Sequence, residues 1–114
     1  MLAVLGAIFM LLKHKPIRSK KITQSARGEA CTMFSPVCTG GSDDATVFCH
    51  SNDSVAGKGG SQKADDIFGF FGCSACHSWF DGKQAASWIL NEYEKKAVYR
   101  TQRRLIDMGL IVVK

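Results

Sequence analysis

Four cysteines arranged as two pairs are the residues of this chain best suited to metal chemistry. Cys73 and Cys76 have two residues between them, and Cys31 and Cys38 form a wider pair upstream. Paired thiolates with such spacing are typical of tetrahedral zinc sites, where four ligands complete the coordination sphere. We therefore predict one structural zinc ion held by these four thiols.

A histidine and an aspartate beside the second pair offer ligands for another metal ion. His77 follows Cys76 directly, and Asp81 lies four residues further on. Residues four apart share one face of a helix. A helix that begins near Ser74 would therefore leave this imidazole and carboxylate free for a second site. Alternatively, His77 could replace one thiol as a ligand of the zinc ion.

An odd number of cysteines argues against a disulfide framework. The chain has five, and Cys49 belongs to neither pair. Disulfides are rare in reducing compartments, where thiolates remain available for zinc. We therefore expect a cytoplasmic protein in which Cys49 is a small, buried apolar residue.

The length of the chain and its apolar start limit the class of protein. A chain of 114 residues is one small domain. Such a domain buries little surface, so a bound metal ion that crosslinks the chain would stabilise it. Residues 1–12 are almost wholly apolar, yet a transmembrane helix needs about 20 such residues. Because the positive charges follow this run, it is a poor secretion signal. We favour a start codon assigned too far upstream and expect no stable membrane association; a peripheral anchor or an extra packed helix remain open.

Basic residues outnumber acidic ones and are unevenly spread. The chain has 15 Lys and Arg against 10 Asp and Glu, a formal charge of +5 that favours polyanionic partners such as DNA. Residues 13–27 contain no acidic residue and suit phosphate contacts, although a solvated tail has the same composition. We expect residues 1–24 to form a poorly ordered arm and residues 25–114 to form the domain. The expected nucleic-acid contacts are Lys20, Lys21, Arg27, Lys96, Arg100, Arg103 and Arg104.

The remaining patterns predict an α+β domain. Residues 45–50 and 67–71 have the composition of short strands, and residues 51–63 between them read as a flexible glycine-rich loop. A short helix should run from Ser74 to about Gly82, and a long C-terminal helix from about residue 85 to Gly109. Residues 110–113 could form a final strand. The aromatic residues expected in the core are Phe68, Phe70, Phe71, Trp79, Phe80 and Trp88.

We call the loop around Cys31 and Cys38 the first knuckle and the turn around Cys73 and Cys76 the second knuckle. The order of first knuckle, two strands, second knuckle and helix resembles that of the HNH, or ββα-metal, nucleases. The motifs at residues 25–31, 36–38, 47–50 and 73–77 look like those of a family of small nucleases carried by bacteriophages and prophages. The resemblance covers the chain from about residue 15 to its C-terminus. It implies a zinc-stabilised, treble-clef-like ββα-metal domain with a long C-terminal helix, encoded by a phage or prophage and acting in the bacterial cytoplasm.

The same resemblance implies a metal-dependent endonuclease that hydrolyses phosphodiester bonds in DNA. In the HNH class the first histidine is the general base, a role that falls to His50 here. The helical ligands of a catalytic Mg²⁺ or other divalent cation match His77 and Asp81. Asp66 is the nearest candidate for orienting His50, although Asn52 could serve. Cys49 stands where many HNH sites have an acidic or histidine ligand, so this cation would have one ligand fewer.

Two other functions share some of these residues. A zinc-stapled module that binds DNA without cutting it would have the same fold and the same basic residues. The segment from Cys73 to His77 also matches the attachment pattern of c-type haem, with His77 and Met108 as axial ligands. Haem attachment would leave Cys31 and Cys38 unexplained, which makes it the least favoured of the three hypotheses.

Overall fold

The computed structural model describes residues 15–40, 45–59 and 62–114. These residues form an α+β fold with a two-stranded sheet and a long C-terminal helix, as the sequence predicts. In the described ranges no helix is long and apolar enough to cross a bilayer. The helices and strands, in chain order, are α1 (Lys20–Thr23), β1 (Val47–His50), β2 (Gly69–Gly72), α2 (Ser74–Asp81) and α3 (Ser87–Asp107).

The sheet is an antiparallel hairpin that places His50 at the end of β1. Val47 lies opposite Gly72, and His50 lies opposite Gly69. Gly69 is required here because a Cβ at this position would collide with the ring of Phe48. That ring also meets the His50 imidazole edge to face, with 5.2 Å between the ring centroids. Packing within the hairpin therefore helps to fix the histidine.

The two sides of the hairpin contribute to two apolar clusters, because successive side chains of a strand point to opposite faces. Phe70 is fully buried in a cluster with Trp79 and Phe80 of α2 and Leu90 and Val98 of α3. This cluster also contains the paired cysteines Cys31, Cys73 and Cys76.

The second cluster lies on the other side of β2. Phe71 packs there with Ile22 of α1, with Leu105 of α3 and with Ala26, which follows α1. Helix α3 therefore contributes to both clusters and joins the two sides of the hairpin.

The loop between the strands is more structured than its composition suggests. It includes a 3₁₀ turn at Ser54–Ala56 and an isolated antiparallel bridge between Gly59 and Gln62. A second 3₁₀ turn, Asp66–Phe68, leads into β2 and shortens the strand predicted from residue 67. This turn sets the direction of the Asp66 side chain.

The helix ends follow the predicted signals, but the final strand does not exist. Helix α2 ends at Gly82, and α3 is followed by Gly109, whose φ of 76° only glycine adopts easily. The amide groups of Leu110 and Ile111 donate to the Leu105 carbonyl, so the chain turns back at this point. The prediction of a strand at residues 110–113 is therefore wrong.

The N-terminal arm is docked wherever the structure describes it. The Ile17 amide donates to Asp65 Oδ1 at 3.1 Å, and the Ser19 hydroxyl caps α1 by accepting from the Ile22 amide. Ile22 is 3% exposed. Hydrogen bonds and one buried isoleucine therefore hold residues 15–24, within the segment for which we expected a poorly ordered arm. The apolar run at residues 1–12 lies outside the described residues.

One of the six predicted core aromatic residues is on the surface. Phe70, Phe71, Trp79 and Phe80 are buried, and Phe68 is partly buried. Trp88 is 70% exposed, because it lies in the first turn of α3 and is not among the residues that this helix buries. Aromatic composition alone could not reveal this difference in position.

The two tryptophans provide a matched test of the packing. Trp79→Ala should lower the free energy of unfolding by about 3–5 kcal/mol, because it removes a 7% exposed indole that packs on the Tyr93 ring. Trp88→Ala should change it by less than about 0.5 kcal/mol. Urea denaturation of the zinc-loaded protein measures both values. Equal destabilisation by the two substitutions would contradict the described positions of the two residues.

Candidate metal centre and active site

The four paired cysteines come together at one point of the fold. The sulfur atoms of Cys31, Cys38, Cys73 and Cys76 all lie within 4.8 Å of one another. A tetrahedral zinc ion with Zn–S bonds of about 2.3 Å requires sulfurs roughly 3.8 Å apart. The cluster can therefore hold a metal ion such as zinc after small adjustments, and the four ligands proposed from spacing are neighbours in space.

Local hydrogen bonds shape the two knuckles that carry these thiols. The Cys31 amide donates to the Gly40 carbonyl at 2.9 Å, and the Gly40 amide lies 3.3 Å from Cys38 Sγ. In the second knuckle Cys73 is the N-cap of α2 and accepts from the Cys76 amide. The metal cluster and the start of α2 are consequently one structural unit.

Burial and hydrogen bonds shift the pKa values of three of the clustered thiols in different directions. Burial opposes ionisation of Cys73, but hydrogen bonds from the backbones of Thr39 and Cys76 lower its pKa to about 6. Burial raises the pKa of Cys38 and Cys76. The buried Ser35 hydroxyl, 3.0 Å from Cys76 Sγ, provides a polar partner for that sulfur. A bound cation would remove the remaining protons, as is usual for zinc sites.

His50 is hydrogen-bonded to a buried carboxylate that comes from the turn before β2. Its Nε2 atom lies 2.8 Å from Asp66 Oδ1, and Asp66 is 3% exposed. The other carboxylate oxygen accepts from the Ser19 amide at 2.7 Å, and Arg18 Nη1 lies 3.5 Å from Oδ1. If Asp66 accepts the Nε2 proton, Nδ1 keeps the free lone pair of the imidazole.

His77 and Asp81 form a second pair on the face of α2. Their side chains are four residues apart, and His77 Nε2 lies 2.8 Å from Asp81 Oδ2. The side chains are 43% and 62% exposed, so solvent and a substrate can reach them. An imidazole and a carboxylate held this close can bind one divalent cation together.

Cys49 is next to His50 in the sequence and contributes no charge to the site. It precedes His50 on β1, is 5% exposed and packs in the same cluster as the paired cysteines. Burial, together with the negative charge of Asp81, raises its pKa to about 12. The thiol is therefore protonated at neutral pH, and the prediction of a small buried residue is confirmed. Asn52, the other candidate for orienting His50, instead donates its backbone amide to Glu94.

The basic residues of the last helix that were expected to contact nucleic acid differ in their local contacts. Arg104 donates to Glu29, with Nη2 3.2 Å from Oε2, and this guanidinium lowers the pKa of the carboxyl. Arg100 donates to the Thr32 carbonyl at 2.8 Å and lies 4.8 Å above the centre of the Phe34 ring. The other predicted contacts have exposed side chains and are Lys20, Lys21, Arg27, Lys96 and Arg103.

Sequence patterns missed some residues that shape the site. Arg18 and Ser19 support Asp66 from 48 and 47 residues away, and nothing local distinguishes them within the basic arm. Glu94 is buried on α3, and its burial raises the pKa of the carboxyl. It shares helical spacing with buried Leu90 and Ala97, so this position could have been recognised.

Removing one clustered thiol should release the metal, whereas removing Cys49 should not. We predict about one zinc ion per chain in the purified protein, and Cys73→Ala should release it and abolish cooperative unfolding. Cys49→Ala should retain the zinc ion because its sulfur is not among the four clustered ligands. Metal analysis and thermal denaturation measure both effects. A Cys73→Ala protein that keeps its zinc and its stability would contradict the assignment.

The chain matches the model of a known protein family. Residues 20–110 match the family described as "Putative nuclease YbcO". The matched segment contains both cysteine pairs, the hairpin and both longer helices, and therefore all residues of the His50 and His77 pairs. No curated protein and no solved structure matches the chain.

Proposed function

We propose that this chain, which belongs to the YbcO family, is an HNH-type endonuclease that hydrolyses phosphodiester bonds in DNA. The family description suggests nuclease activity and hence a nucleic-acid substrate. The observation that carries the finer proposal is the 2.8 Å hydrogen bond between His50 and buried Asp66, at the end of the first strand of a hairpin followed by a helix. The resemblance to the HNH class assigns the general base to a histidine in such a position, which supports the proposal.

His50 would act as the general base. With its Nε2 proton donated to Asp66, the imidazole can accept a proton at Nδ1 from the water that attacks phosphorus. Asp66 would keep the ring in this tautomer and would stabilise the imidazolium once it forms, as the carboxylate does in hydrolytic triads. Asp66 is itself held by the Ser19 amide and by Arg18. The N-terminal segment thus supports the proposed base.

His77 and Asp81 would hold the catalytic divalent cation. A bound Mg²⁺ ion or a transition metal would neutralise charge on the scissile phosphate and stabilise the departing oxygen. Two protein ligands are consistent with Mg²⁺, which commonly keeps several waters and takes its other ligands from substrate phosphates. Because Cys49 is protonated and buried, His77 and Asp81 would supply the protein's share of the coordination.

The zinc cluster would position this second site. Cys73 and Cys76 lie at the start of α2, and Cys76 is directly beside His77. A zinc ion bound by all four thiols would fix the N-terminal end of the helix against the first knuckle. We propose that the structural metal thereby sets the orientation of His77 and Asp81 relative to the hairpin that carries His50.

The exposed basic residues would bind the DNA backbone. Lys20, Lys21, Arg27, Lys96 and Arg103 are exposed, while Arg100 and Arg104 would take part only at the cost of their protein contacts. We further propose, from the resemblance to phage and prophage nucleases, that the protein acts in the cytoplasm of a bacterial host.

A zinc-stapled DNA-binding module without catalysis is the second candidate. It is favoured by the neutral thiol of Cys49, which occupies the place where many HNH sites have an acidic or histidine ligand. The haem hypothesis loses support, since the sulfurs of Cys73 and Cys76 lie in the same cluster as those of Cys31 and Cys38.

The test that separates nuclease from binder is plasmid nicking by matched histidine variants. His50→Ala should reduce the nicking rate by about 10²- to 10⁴-fold, because the general base is removed. His14→Ala, which changes a histidine outside the described residues, should leave the rate unchanged. Zinc content should be the same in both variants, whereas the melting temperature of His50→Ala should be somewhat lower, because buried Asp66 loses one donor.

Two results would contradict the assignment. Equal nicking by His50→Ala and wild type would show that His50 is not the base or that a contaminant cuts the plasmid. Binding of DNA without any nicking in Mg²⁺ or Mn²⁺ would favour the binding module.

Salt dependence tests which cations bind the DNA backbone. Replacing both Lys96 and Arg103 with Ala should flatten the slope of log K against log salt by about 0.7–0.9 for each phosphate that is no longer neutralised. Arg104→Ala should change the slope less, because this side chain is paired with Glu29. Fluorescence anisotropy with one duplex at several salt concentrations measures the slopes. Identical slopes for the double variant and wild type would exclude these two residues from the DNA interface.

A further inference from the structure

A cavity of about 400 Å³ lies next to the proposed base and has no role in the chemistry described above. It is bounded by the segment after β1 on one side and by the middle of α3 on the other. Ser51, the residue after His50, lines it, and the Ser51 amide donates to the carbonyl of Phe68, another lining residue. The cavity thus begins one residue beyond His50. Its size is within the range of small-ligand sites, about 300–1,000 Å³.

Two carboxylates line this cavity, Asp53 and Glu94, and Glu94 is the buried one. Glu94 is 6% exposed, accepts a hydrogen bond from the Asn52 amide through Oε1 and has the Ser51 side chain as a second partner. A carboxylate has about four lone-pair positions for hydrogen bonds. Further N–H donors would therefore be favourable here, because burial makes an incompletely paired carboxylate costly. The acidic group also repels a phosphate from the interior of the cavity.

The walls and the rim have the composition of a base-stacking site. Phe68 and Val98 supply apolar surface, while the aromatic ring of Tyr99 lines the cavity and is 64% exposed. Aromatic side chains exposed in this way are the usual platforms for unpaired bases. Lys95, also in the lining, pairs with exposed Glu92 at 3.6 Å, a weak contact that phosphate can replace. A neutral ring with N–H donors, attached to an anionic group, matches this arrangement.

We propose that this cavity binds one unstacked nucleobase of the substrate, adjacent to the phosphodiester bond that water attacks with His50 as the general base, and that Glu94 selects guanine. This inference rests on the proposed function. Guanine presents two adjacent N–H donors, N1 and N2, which one carboxylate can accept together, whereas thymine presents only one N–H donor. The base must leave its stack to enter, so single-stranded or locally unpaired DNA is the substrate form that uses this site.

Binding of mononucleotides tests the cavity without any need for cleavage. The zinc-loaded, full-length, ¹⁵N-labelled protein is titrated with dGMP and with dTMP and followed by ¹H–¹⁵N NMR. Saturable shifts should centre on the amides of Ser51, Lys95 and Tyr99, and dGMP should bind roughly fivefold or more tightly than dTMP. Shifts located elsewhere, or equal affinities for the two nucleotides, would overturn the proposal.

Variants with matched controls identify the groups responsible. Tyr99→Ala should weaken binding of both nucleotides by roughly fivefold or more. Trp88→Ala, which removes an equally exposed aromatic residue of α3 outside the cavity, should have no effect. Glu94→Gln should abolish the preference for dGMP. If Glu94→Gln does not fold, nucleotide binding by Tyr99→Ala and Trp88→Ala tests the cavity instead. Equal affinity of these two variants for dGMP would overturn the proposal.

Failure of the proposed nuclease activity can be distinguished from failure of the proposed base-binding cavity. A protein that never nicks DNA but binds dGMP in the cavity would keep the base site and lose the catalytic role. With active protein, sequencing of the cleaved ends should show guanine enriched beside the cut, an enrichment that Trp88→Ala retains and Tyr99→Ala abolishes. Active cleavage with no base enrichment at that position would reject the site while leaving the nuclease intact.

Discussion

Four thiols held within 4.8 Å of one another impose the constraint on which the rest of this small fold depends. Four thiolates at this distance would repel one another strongly without a cation between them. A shared zinc ion would resolve the repulsion and tie the 31–40 knuckle to the start of α2. The same cysteines pack against Phe70 and Trp79, so the metal cluster and the larger apolar cluster are continuous. In a chain of 114 residues this linkage replaces a deeper core.

Asp66 is the second point at which distant parts of the chain meet. Its carboxylate links the turn before β2, the end of β1 at His50 and the docked N-terminal segment at Ser19. A carboxylate that is 3% exposed with several donors is stable only while those donors stay in place. The orientation of the proposed base therefore depends on residues 15–19 as well as on the hairpin. In the proposed active site, a bound zinc ion would position one half and Asp66 the other.

Much of this arrangement could be predicted from the sequence, for identifiable physical reasons. Cysteine spacing, strand-forming composition and helix-end signals at Gly82 and Gly109 are local, so the hairpin and both longer helices were recognisable. The docking of Arg18 and Ser19 was not, because hydrogen bonds to a carboxylate 47 or 48 residues away leave no local pattern. Trp88 and Trp79 differ in exposure only through their places on different helices. The 110–113 segment had strand composition but no partner strand among the described residues.

We propose two metal sites with different purposes, a structural site formed by the four thiols and a catalytic site on α2. The decisive measurement is anomalous scattering from crystals of the zinc-loaded protein soaked in Mn²⁺. We expect zinc among the four sulfurs of Cys31, Cys38, Cys73 and Cys76, and manganese bound by His77 Nε2 and an Asp81 carboxylate oxygen. Manganese bound elsewhere, or zinc coordinated by His77 in place of one thiol, would contradict the proposal.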